Sequence, residues 1–334
     1  MTCAIARRIG EYIATAPARA LPDDVVEKTK HHLLDSLAAM VSGARLAPGL
    51  AAARVAEALG GRPEATVVGT SLVTSAVHAA LANGMAAHAD ETDDSHLGGL
   101  FHPGCGIVPA ALAVAEREAR DGTALVRAIA LGYDIGARST KALGYENPRS
   151  ALHSTHSIGT GLGAAAAAGA LLRLTEPQAI HLLSYAVQQA SGIPYWPKDS
   201  EHIEKSFDFG GMGARNGVTA ALMVASGCTG VTDCLTGSPS YLSAFALEPK
   251  PEELDAELGS RYEIQAASIK KWCVGSPIQA ALDSLEALIE QHDLRAEEVE
   301  SLTATLPDDR LPIVDNREMP DICLQHLLAV LLID

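Results

Sequence analysis

The run from Ile158 to Leu172, IGTGLGAAAAAGALL, carries no charged residue and is built mostly of glycine and alanine. It is too short to span a bilayer, which takes roughly 20 apolar residues. Its small side chains let neighbouring backbones approach closely, so it reads as a buried helix inside a tightly packed helical domain. A nucleotide loop is a poor reading, because the chain has neither G-x-G-x-x-G after a strand nor G-x-x-x-x-G-K-[ST]. Abundant alanine with only 4% aromatic residues favours helices over a sandwich rich in Val, Tyr and Trp. At 334 residues the chain exceeds the size at which one core stops growing, which predicts a large domain plus a smaller one.

Helix signals recur along the first part. Pro22, Asp23 and Asp24 make a good start, and Val25, Thr29, Leu33, Leu37 and Val41 recur every fourth residue up to Gly43. Similar segments are expected near 46–59, 73–89, 108–120, 123–140, 157–172, 176–191 and 211–226. Composition shifts after about residue 235. The stretches 262–269 and 299–306 read as strands, with a helix from Pro277 to Ile289. The expectation is a mainly α protein: a large all-helical domain over residues 1–260 and a smaller α/β lid domain over 261–334. The last helix, from Asp321, is apolar almost all round and has no cap, so a truncated lid is expected.

A formal charge of −16 with no Lys/Arg run argues against nucleic acid and against anionic membranes as partners. A small anionic ligand would need a local cluster of cations. Cys3, Cys105, Cys228, Cys234, Cys273 and Cys323 show no C-x-x-C pair and no secreted disulfide spacing. Arg7, Arg8 and Glu11 interrupt any signal-like apolar stretch. These features predict a soluble cytoplasmic protein.

Chemistry concentrates between His88 and His102, where Asp90, Glu91, Asp93, Asp94 and Ser95 stand among three histidines just before an HPG turn. The segment is a catalytic cluster or a solvated acidic turn whose carboxylates cap the next helix. A metal site is disfavoured, since no H-E-x-x-H or comparable spacing joins His88, His96 and His102.

ATVVGT, AHADETDDSH, HPG, PAALAVAE, LGYDIGAR, a histidine before IGTGLGAAAAAG, a lysine before FGG, and IKKWCVGSPIQAA follow one another in the order of the MmgE/PrpD family. The chain resembles that family over essentially its whole length. Members include 2-methylcitrate dehydratase, cis-aconitate decarboxylase and iminodisuccinate epimerase. The resemblance implies a large helical domain with a smaller α/β lid, a homodimer, and chemistry without metal or organic cofactor.

Position by position, Glu91 resembles the acid that opens the family's D-[FY]-D-D-T motif. Asp93 and Asp94 match its following acids, and Ser95 stands for its threonine. His102 matches the histidine before proline, and His153 the histidine six residues before the GT pair. Lys205 and Lys270 match two lysines of the site. A family tyrosine falls at His326, a departure from the pattern, and His156 lies one helical turn beyond His153. The resemblance thus implies Glu91, His102, His153, Lys205 and Lys270 as catalytic. Asp93, Asp94, Ser95, His156 and His326 would contact a small carboxylate.

Proton removal next to a carboxylate builds negative charge that ammonium, imidazolium or other donors must stabilise. A histidine or a lysine of lowered pKa would be the base, tuned by Glu91 or Asp93. The expected function is a lyase that dehydrates a small di- or tricarboxylate. An epimerase using the same carbanion, or an inactive binding module, are the rivals.

Overall fold

A computed structural model describes residues 3–146 and 151–333. The chain divides into two units, Met1–Ala89 with Asp93–Ile269, and Asp90–Thr92 with Lys270–Asp334.

The first unit is a helical assembly. It runs through α1 (Ala4–Thr15), α2 (Asp23–Gly43), α3 (Ala47–Leu59), α4 (Ala76–Ala87), α5 (Gly104–Arg117), α6 (Gly122–Lys141), α7 (Thr155–Leu171) and α8 (Glu176–Gln188). Short α9 (Ile203–Ser206), α10 (Met212–Ala225) and α11 (Tyr241–Phe245) follow. The glycine- and alanine-rich run is α7, buried and packed against α5, α6 and α10. Its small residues are a packing requirement: a Cβ on Gly163 would lie 2.6 Å from the Gly132 carbonyl oxygen of α6.

The strands are marginal. Ala65–Thr66 (β1) pairs antiparallel with Val73–Thr74 (β2), and Ser95–His96 (β3) with Ala267–Ser268 (β4). Of the strand expected at 262–269, only β4 forms; Glu263–Ala266 winds into a 3₁₀ turn. Residues 251–269 belong to the first unit because α6 holds them. Arg138 donates to the carbonyls of Ala256 and Arg261, and the Glu263 N–H donates to Asp134 at 2.6 Å.

Two sequence readings are corrected here. The four-residue stripe on α2 drifts off the buried face, because the helix turns every 3.6 residues. Val25 and Thr29 are buried, but Val41 is 57% exposed. The inward face continues instead through His32, Ser36 and Met40. Helix α5 starts at Gly104, not near 108, because the Asp94 carboxylate accepts the Gly104 N–H at 2.8 Å and caps that end.

The second unit has its own small core. Ile278, Leu282 and Leu285, on a 3₁₀ turn and on α12 (Gln279–His292), pack with Val314 of α13 (Leu311–Val314) and Leu324 and Leu328 of α14 (Leu324–Ile333). The segment 299–306 forms no strand; most of it is exposed and no described strand lies beside it. On α14, Leu324 and Leu328 are buried while Val330 and Ile333 face outward. The fold is mainly α. Among the described residues no single helix is long and apolar enough to cross a membrane; α2 and α3 meet both conditions only taken together, across an 86° bend.

Candidate active site

Helix α4 ends at His88, and the chain then runs through the acidic segment to His102 before re-entering a helix at α5. The solvated-turn reading does not hold: Asp93 and Asp94 are fully buried and Glu91 is 2% exposed. A buried carboxylate needs partners. Asp93 has them in two imidazoles. Its oxygens lie 3.0 and 2.9 Å from His88 Nδ1, and Oδ2 lies 3.3 Å from His102 Nδ1.

Phe209 organises the rings around this carboxylate. It sits in a π-helical turn, Phe207–Gly211, between α9 and α10. Glycine lets that turn press on α4, since a Cβ on Gly210 would lie 2.1 Å from the Gly84 carbonyl oxygen. His156 stacks on Phe209 with centroids 3.5 Å apart, His88 lies at 4.3 Å and His102 at 5.5 Å. His102 and His156 are 5.4 Å apart, centroid to centroid. Lys205 brings its ammonium 5.0 Å from the Phe209 ring and 5.2 Å from that of Trp196, within cation–π range. His202 stacks beside His88 and bonds its carbonyl through Nε2 at 2.8 Å.

The ring carries its own electrostatic bias. Burial, reinforced by the neighbouring His102, His88 and Lys205, holds His156 well below the usual histidine range, so it is neutral at pH 7. Next to Lys205 opens a cavity of about 230 Å³, lined also by Gly192, Ile193, Tyr195, Trp196 and Asp208. Burial pushes the Asp208 carboxyl up to about 6 against the opposing hydrogen bonds of Ser154 and Ser157. The donor atoms of His88, Asp93 and His102 lie within 4.8 Å of one another, a set able to hold a divalent cation. Both Nδ1 atoms already face the Asp93 carboxylate, so a cation there would compete with those contacts.

Of the residues singled out in the sequence, Asp93, His102, His156 and Lys205 come together around Phe209. His153 lies outside α7, half-buried, with its ring 4.8 Å from that of Phe245. Asp94 is bonded to His32, Tyr133 and Gly104, and Ser95 opens β3. Glu91 and Lys270 belong to the second unit, where the Lys270 ammonium donates to the Glu91 carbonyl and stands 3.7 Å from its carboxylate. Glu91 has φ +60°, a left-handed conformation uncommon for glutamate. His326 is exposed on α14. Sequence reasoning treated His88 only as a possible metal ligand and passed over His202 and Phe209. The five-residue step from His88 to Asp93, off the end of a helix, is the one signal that pointed to the first; nothing local marks the others.

Residues 7–254 match the model of the MmgE/PrpD N-terminal domain. The cis-aconitate decarboxylase-like protein oryM of Aspergillus oryzae is 26% identical over 286 residues, 80% of this chain and 58% of its own length. A cis-aconitate decarboxylase of Aspergillus terreus is 27% identical over 289 residues, 80% of this chain and 56% of its own. The chain therefore spans a little over half the length of these curated relatives. With the domain match covering most of its residues, the chain belongs to the MmgE/PrpD family.

Proposed function

We propose that this chain carries lyase chemistry on a small di- or tricarboxylate, through a carbanion stabilised by an adjacent carboxylate. The observation that carries the reading is the buried Asp93 carboxylate facing Nδ1 of both His88 and His102. With Nδ1 turned to Asp93, His102 keeps Nε2 for a proton in transit, and the carboxylate stabilises the imidazolium that results. General base catalysis by a positioned side chain is worth about 10²- to 10⁴-fold in rate.

In dehydration, His102 takes the proton α to a carboxylate and the electron pair spreads into that carboxylate. The pair then returns to form the Cα=Cβ bond as the β C–O bond breaks; that bond's electrons leave with oxygen, and a protonated group delivers the proton that makes water. Lys205, a buried ammonium beside Phe209, supports the charge that builds on the substrate. His156, held neutral, can offer a hydrogen bond to the charge that builds on the substrate. The resemblance also carries Lys270 and Glu91 into this proposal, as a cation held by its own carboxylate.

The names of the Aspergillus relatives favour a second reading, decarboxylation, in which the C–C bond to the departing CO₂ leaves its electron pair on carbon and a site histidine protonates it. Incubating the chain in heavy water with a panel of small di- and tricarboxylates, followed by NMR, separates the possibilities. Dehydration yields an alkene, decarboxylation yields CO₂ and one carbon-bound deuterium, and epimerisation exchanges hydrogen without an alkene. The absence of both consumption and exchange with every acid in the panel would sink the lyase reading.

A further inference from the structure

Asp94, next in sequence to Asp93, serves a different set of groups. Its Oδ2 lies 2.5 Å from His32 Nδ1 and accepts the Tyr133 hydroxyl at 2.6 Å, while Oδ1 accepts the Gly104 N–H at 2.8 Å. Asp94, His32 and Tyr133 are each fully buried. Burial, with the neighbouring Asp94 charge, holds the Tyr133 phenol well above its usual range, so it remains a donor. The glycine after His102 and Pro103 is shaped by this contact: a Cβ on Gly104 would lie 2.7 Å from Asp94 Oδ1 and 2.6 Å from Ser36 Oγ. The HPG turn is therefore clamped from behind, two residues from the His102 imidazole.

We propose that Asp94, held by His32 and Tyr133, is a positioning residue that fixes the His102–Gly104 turn and thereby the orientation of the His102 ring. The carboxylate acts through the backbone and does not touch substrate. Charge-assisted bonds to a backbone N–H are shorter and stronger than neutral ones, and misplacement of a catalytic group by about 1 Å can cost 100-fold in rate. This inference rests on His102 being the base, so its test needs a readout that does not depend on turnover.

The full chain, labelled with ¹⁵N-histidine, supplies one, with the His102 ring signals assigned from the His102→Asn spectrum. Tyr133→Phe removes one donor to Asp94, and Asp94→Asn removes the charge. The control is Tyr12→Phe, which deletes an equivalent buried phenol–carboxylate bond, 2.6 Å, at Asp134. Tyr133→Phe and Asp94→Asn are expected to move the His102 ring signals and lower kcat about 10- to 100-fold with KM within about twofold. Tyr12→Phe lowers Tm and leaves both unchanged. His102 signals unmoved by Tyr133→Phe, or moved equally by Tyr12→Phe, overturn the proposal. If the wild-type chain turns over no carboxylate, the lyase reading fails while the spectra still decide the role of Asp94, and Tyr133→Phe decides it alone should Asp94→Asn not fold.

Discussion

Glu263 ties the 251–269 segment to the strand that follows the acidic cluster. Its carboxylate lies 3.3 Å from His96 Nε2, 3.2 Å from Lys141 and 3.3 Å from Arg261. The Gly99 N–H donates to His96 Nδ1 at 2.9 Å, which leaves the proton on Nε2, facing Glu263. Burial alone would raise this carboxyl; the His96 hydrogen bond and the Lys141 ammonium overcome it and bring the pKa down to about 2, from 4.5. The sign follows from linkage. A depressed folded-state value means the contribution is complete above pH 4.5 and is lost as the pH falls through 2. A drop of two to three pKa units corresponds to roughly 3 kcal/mol at pH 7, and the same two values leave about 1 kcal/mol at pH 3.

Glu263→Gln removes the titrating charge and keeps the shape. At pH 7 it is expected to lower stability by about 3 kcal/mol, which for a chain of this size lowers Tm by roughly 4–5 °C. The informative measurement is the wild-type minus variant difference in urea unfolding at a series of pH values. It should be large and flat from pH 7 to pH 5 and shrink by more than half by pH 3. A difference that stays constant down to pH 3 would refute the argument, because it would mean that Glu263 contributes by packing and not by charge.

Asp93→Asn keeps the shape of the buried carboxylate but removes the charge facing His88 and His102, and solvent-deuterium exchange into the substrate should slow by about 10²- to 10⁴-fold. His156→Asn is expected to cost more activity than His153→Asn, since only His156 stacks on Phe209; parallel kcat measurements in folded variants decide it, and the reverse order would favour the family offset over the ring geometry. Gly104→Ala forces a methyl against Asp94 and Ser36 and should destabilise by about 1–3 kcal/mol, read as a lower urea midpoint with an unchanged slope.

The helical character of the first unit was legible because it depends on local properties. Alanine content, the uncharged 158–172 run and the acidic start of α2 each act within a few residues, and they lie on α7 and α2 as expected. The segment 299–306 was misread because alternation alone does not make a strand: an extended segment needs a partner for its backbone groups, and no described strand runs beside it. His32 and Ser36 were missed for a related reason. Each lies seven residues beyond Val25 or Thr29, on the same face, but a reading that follows only apolar residues passes over them; both are fully buried, and His32 meets a carboxylate 62 residues away.

The histidines show where local reading stops. His153 and His156 are three residues apart, and a family offset selects the first. Helix α7 begins between them, at Thr155, with the Ser154 side chain accepting the Ser157 N–H at its start. His156 therefore sits in the first turn, its ring held against Phe209, while His153 belongs to the loop before it. The same logic separates the two aspartates. They stand just before β3, where successive side chains alternate in direction, so one residue of chain is enough to send Asp93 to His88 and His102 and Asp94 to His32 and Tyr133. A pair of acids that reads as one cluster divides into a carboxylate that tunes the imidazoles and a carboxylate that holds the turn carrying one of them. Only the three-dimensional placement of α2 and α6, remote in sequence from both aspartates, makes that division.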